Sequence, residues 1–79
     1  MDIFRILWDE PDDPDGNVQH IAEHGLTIDD VEEVLSNSTS EGTSASTRGP
    51  CVWGYTLEGV YIIVVYEEID QDTIRVVTA

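Results

Sequence analysis

The chain contains no lysine and only three arginines, Arg5, Arg48 and Arg75. Affinity for nucleic acid comes largely from Lys and Arg displacing counterions from phosphates, so this composition argues against RNA or DNA binding, and against anionic lipid for the same reason. Cysteine occurs once, at Cys51, which excludes an intramolecular disulfide and points to a reducing compartment or an incidental thiol. No apolar run reaches the ~20 residues of a membrane-spanning helix. The opening Met1-Asp2 lacks the basic region of a secretory signal, so the expectation is a cytoplasmic protein with no membrane partner. A length of 79 residues excludes a second domain, a (βα)-barrel and a dinucleotide fold. A domain of this size buries only about 60% of its unfolded surface and has little stability in reserve.

What is present in excess is negative charge. Seventeen Asp and Glu bring the net charge to −14, while 41% of residues are apolar, enough for a globule and against wholesale disorder. Such a charge suits basic partners, metal cations or a high-salt solvent.

The chain pattern predicts an α+β domain. Ile3 to Trp8 reads as a strand. Asp9 to Gly16 is an acidic turn with two prolines, which suit neither a helix interior nor ladder pairing. Asp15 is positioned to N-cap a helix carrying Val18, Ile21 and Ala22, and Gly25 to close it as a left-handed C-cap with Leu26 beyond. Thr27 to Asp30 resembles a capping box at the head of a second helix, whose apolar stripe is Ile28, Val31, Val34 and Leu35. Ser36 to Gly49 is polar and aperiodic, a mobile loop with a weak edge strand near Ser44–Thr47. Cys51 to Thr56 and Val60 to Tyr66 read as strands joined by a short Leu57-Glu58-Gly59 connection. The second, unbroken in its apolar character, fits a central strand covered on both faces. Glu67 to Asp72 is an acidic turn, and Thr73 to Thr78 the last strand. The order β-α-α-β-β-β places two helices on one face of an antiparallel sheet that the first strand joins.

Several residues could carry chemistry. The carboxylates of Asp9 to Asp15 could hold a hard cation, but with Gly16 as the turn glycine the calcium-loop template puts Pro11 and Ala22 at ligand positions, so a solvated acidic turn is the better reading. His20 and His24 share one helix face at a spacing that can hold zinc, yet Glu23 stands in the wrong place for a His-Glu-x-x-His mechanism. Cys51, with no neighbouring His in sequence, reads as a buried structural thiol. The arginines are either charge balance on a sheet face or an anion site, since guanidinium presents a planar fork to phosphate. Trp8, Trp53, Tyr55, Tyr61 and Tyr66 could stack on bases, but without basic companions they read as sheet packing.

Taken in order, Trp8-Asp9, the stretch Asn17 to Thr27 with its His24-Gly25 step, Arg48, Gly54-Tyr55, the strand Tyr61 to Tyr66 and Thr73-Ile74-Arg75-Val76-Val77-Thr78-Ala79 resemble the BrnT-like toxins, relatives of the RelE-like ribonuclease toxins. The resemblance covers most of the chain and implies a single RelE-like domain over residues 1–79, without the family's C-terminal helical segment. It further implies a metal-independent, cofactor-free endoribonuclease of a type II toxin–antitoxin pair, neutralised by a cognate antitoxin and often dimeric. Arg48 and Arg75 would then face the scissile phosphate and polarise it, with His24 as a further candidate catalytic residue. Where the family has a lysine before the His-Gly step, this chain has Glu23. Charge points to a different reading: a non-catalytic module whose acidic faces bind a basic protein or fix a homodimer, or a protein adapted to salt.

Overall fold

A computed structural model describes residues 5–44 and 49–79. Its elements are β1 (Arg5–Leu7), α1 (Asn17–Glu23), α2 (Ile28–Ser36), β2 (Ser40–Thr43), β3 (Pro50–Tyr55), β4 (Tyr61–Asp70) and β5 (Thr73–Thr78). The five strands form one sheet in the order β1-β5-β4-β3-β2. The α+β class predicted from the sequence is therefore observed, with three differences in the sheet.

The first is direction. β2 to β5 form an antiparallel meander, but β1 pairs with β5 in parallel, Ile6 opposite Ile74, so the sheet is mixed. Two helices carry the chain from β1 at one edge to β2 at the other, and a crossover of that length frees β1 from the antiparallel geometry a hairpin imposes. The second is an extra strand. Ser40–Thr43 lines up against β3, whereas Ser44 is buried and outside any strand, and Ala45 to Thr47 lie outside the described residues. Apolar alternation cannot reveal β2, because all four of its residues are exposed. The third is length. β4 runs on through Glu67 to Asp70 where an acidic turn was predicted, because Glu67 finds Arg75 directly opposite on β5 and opposite charges across a ladder are favourable. The turn itself shrinks to Gln71 and Asp72, and the Asp72 amide donates to Asp70 Oδ1 at 2.9 Å.

Both helices serve one core. α2 packs on β3 and β4 while α1 packs on β5, and Ile21, Val31, Val34, Leu35, Val52, Val64, Ile74 and Val76 close together between the layers. The capping box is present: Thr27 Oγ1 accepts from the Asp30 amide and Asp30 accepts from the Thr27 amide at 2.9 Å. Gly54 sits where a Cβ would lie 3.2 Å from Val34, so a glycine lets α2 approach β3 closely. On the sheet face away from the helices, Tyr55 pairs with Tyr61, Trp53 with Ile63 and Cys51 with Val65. Cys51 and Val65 are buried, so β4 is covered on both faces only from Val64 to Tyr66, and its first three residues are partly open.

Candidate functional site

Three residues of the motifs, Asp9, Asn17 and Arg75, meet at the joint between β1, α1 and β5. After β1 the chain passes Trp8 and Asp9 and turns back through Glu10 to Gly16. The Gly16 amide donates to the Asp13 carbonyl at 3.0 Å, and the Asp15 amide donates to Asp13 Oδ1 at 2.9 Å. Asp15 does not cap α1; the N-cap is Gly16, with no capping side chain of its own. The cap is supplied from a distance. The Asn17 amide donates to Asp9 Oδ2 at 2.8 Å, and the Asp9 amide donates to Asn17 Oδ1 at 2.8 Å, a reciprocal pair that satisfies a free amide of the first helical turn. A Cβ on Gly16 would lie 2.8 Å from the Asp9 Cβ, so this approach requires glycine.

Asn17 is 3% exposed and saturated. Its amide nitrogen also donates to the Leu7 carbonyl and to the Val76 carbonyl, each at 3.0 Å, which ties α1 to both strands at once. The sequence pattern placed Asn17 at the start of a motif without a role. The signal that could have found it is a side chain able both to donate and to accept, set at the first position of a helix that follows an acidic turn.

Arg75 completes the cluster. It leaves β5 on the face opposite Ile74 and Val76, as alternation predicts, and its Nη2 donates to Asp9 Oδ2 at 2.7 Å. Its other nitrogen lies 3.8 Å from Glu67 Oε1. The Asn17 amide, and then the Arg75 guanidinium, hold the Asp9 carboxyl below its ordinary value of 3.8. Arg75 is thus engaged by two carboxylates on a half-open sheet face.

The other predicted residues are placed elsewhere. Arg48 lies outside the described residues. His24 stands at the C-cap of α1, where its Nδ1 meets the Ala79 carbonyl and its ring meets His20 edge-on at 5.4 Å. Among the described residues His24 and Arg75 share no partner: one belongs to the helix layer, the other to the opposite sheet face. The helix closes behind His24 as predicted, through Gly25 at φ 76°, whose amide donates to the Ala22 carbonyl, and through the Leu26 amide, which donates to the Ile21 carbonyl. Arg5 is exposed on edge strand β1 and helps hold the Asp70 carboxyl low, after the Asp72 amide and the groups of Thr73. Cys51 is buried, and among the described residues no group of three His, Cys, Asp or Glu is placed to hold a metal. Trp8 is joined to α2 by its indole N–H, which donates to Glu32 Oε2 at 3.1 Å, and Trp53 lies across Gly42. Trp8 also packs against the hydrophobic core.

No helix among the described residues is long and apolar enough to cross a membrane. Comparison with family models, with curated proteins and with solved structures returned no match.

Proposed function

We propose that this protein is a non-catalytic, acidic interaction module that binds a basic protein partner. The carrying observation is the state of Arg75. A guanidinium that polarises a scissile phosphate must offer its donors to that phosphate, whereas Arg75 spends its shortest contact on Asp9, 2.7 Å away, with Glu67 on its other side. Displacing Asp9 by a phosphate would leave that carboxylate next to the incoming anion, with like charges in contact. The motifs that resemble the toxins then make sense as scaffold: Asp9, Asn17 and Arg75 hold the joint of three elements, and His24-Gly25 ends a helix. The surplus of acids supplies affinity and on-rate for a cationic protein surface.

The test has two arms. Incubation with total RNA in the presence of a chelator should leave the RNA intact, with wild type and Arg75→Ala indistinguishable. Co-expression with the product of the adjacent reading frame should give a complex that falls apart on sizing as salt rises, since exposed charge pairs are screened over about 10 Å at 0.1 M. Metal-independent cleavage that disappears in Arg75→Ala would return the ribonuclease toxin as the function.

A further inference from the structure

An apolar groove runs between the two helices, on the most acidic stretch of the chain. Its volume is about 340 Å³, and Val18, Ile21, Ala22, Leu26 and Ile28 line it, with Asp29 at the rim. Val18 and Ala22 are one helical turn apart on α1 and both point into it; Ala22 is exposed, and Val18, Leu26 and Ile28 are half-buried. Asp29 lines the groove and Glu23 follows Ala22 on α1; the helical segment 17–36 that forms it carries five carboxylates (Glu23, Asp29, Asp30, Glu32 and Glu33) and no Lys or Arg.

We infer that this groove is the docking site for a cationic amphipathic helix of the protein partner. The inference rests on the reading of the chain as a module for a basic protein, and adds the place and the shape of what binds. An apolar cleft alone would accept many occupants; one with a carboxylate at its rim, between two helices that carry acids and no Lys or Arg, favours an occupant that brings apolar side chains in a narrow stripe and positive charge beside it. An amphipathic helix meets both demands, because residues at i, i+3, i+4 and i+7 form one stripe and their neighbours flank it. An anionic helix is disfavoured by the acidic helices that flank the groove, so charge adds to fit in setting specificity.

The experiment uses the full chain and a synthetic peptide of about 18 residues, long enough to hold helix, with Leu at the stripe positions and Lys elsewhere. A scrambled peptide of identical composition has the same charge and no stripe. Binding is followed by fluorescence anisotropy of the labelled peptide, with wild type, Ala22→Lys in the groove and Leu57→Lys on the distant β3–β4 turn as an equal change in charge. The stripe peptide should bind at least about tenfold tighter than its scrambled form. Ala22→Lys should remove about tenfold of that affinity, and Leu57→Lys should leave it within about twofold. If circular dichroism shows Ala22→Lys to be unfolded, Asp29→Asn on the exposed rim, also a change of one charge unit, makes the same comparison. Equal binding of both peptides, or insensitivity to Ala22→Lys, would overturn the groove while leaving a basic partner in place. No binding of either peptide even at low salt would overturn the basic-partner reading itself. A dimer of the protein alone that Ala22→Lys dissociates would assign the groove to a second copy and refute the inference.

Discussion

Replacement of Asn17 by alanine should be among the most damaging single changes in this molecule. The side chain makes three hydrogen bonds: it accepts from the Asp9 amide and donates to the Leu7 and Val76 carbonyls. Each bond contributes about 0.5–1.5 kcal/mol net, and the groups left behind sit beside a residue that is 3% exposed, so water does not replace the lost partner freely. The expected loss is about 3 kcal/mol. For a domain of 79 residues total stability is about 4–12 kcal/mol, so the variant retains little margin at the lower end. In a thermal melt followed by circular dichroism, the midpoint should fall by about 12–24 °C. Gln19→Ala is the matched control, since among the described residues its side chain donates only to the exposed Pro11 carbonyl, and it should change the midpoint little. Asn17→Asp should be no better than alanine: it keeps the acceptor, loses both donors and sets a second carboxylate against Asp9. A loss below about 1 kcal/mol for Asn17→Ala, matching Gln19→Ala, would refute the claim that this residue joins β1, α1 and β5.

Acid should destabilise the fold through Asp9. Its folded value lies below the unfolded one, so its contribution is complete above pH 3.8 and is lost as pH falls through the lower, folded value; a stability profile should drop there, and less steeply in Asp9→Asn. Alkali should act through Tyr66, whose hydroxyl is pushed above its ordinary value of 10.0 first by burial and then by Glu41 and Glu68. Its contribution is present below pH 10.0 and lost as pH rises beyond it, and Tyr66→Phe should flatten that limb of the urea-unfolding profile. Gly54→Ala should cost about 1–3 kcal/mol in chemical denaturation, because its Cβ would meet Val34 at 3.2 Å and the Ser38 backbone at 3.3 Å; an unchanged midpoint would mean that α2 can move away from β3 at no cost.

Much of this architecture is written in local patterns. The capping box at Thr27, the glycine at Gly25 and the apolar stripe of α2 depend on neighbours within four residues, and all three are observed where local chemistry places them. The alternation that sends Arg75 away from Ile74 and Val76 is local as well. The features that escaped depend on distant partners. β2 is a strand only because β3 offers it a ladder, and the far half of β4 is a strand only because Arg75 lies opposite Glu67. Asp15 resembled the cap of α1 because it stands next to the helix, yet Asp9, eight residues before Asn17, takes that place. The candidate site divides in the same way: the residue types Asp, Asn, His and Arg can be read along the chain, but not that Asp9 occupies the guanidinium.

Sequence alone determined the two helices, the strongly apolar strands, the α+β class and the overwhelming negative charge, because these follow from periodicity, capping and composition, which act over a few residues or by simple sum. Tertiary structure decided the parallel pairing of β1, the joint at Asn17, the neutralisation of Arg75 and the apolar groove between the helices. Each of these is a meeting of residues far apart in the chain, and which distant groups meet is set by how the layers pack, a property that no short window of sequence contains.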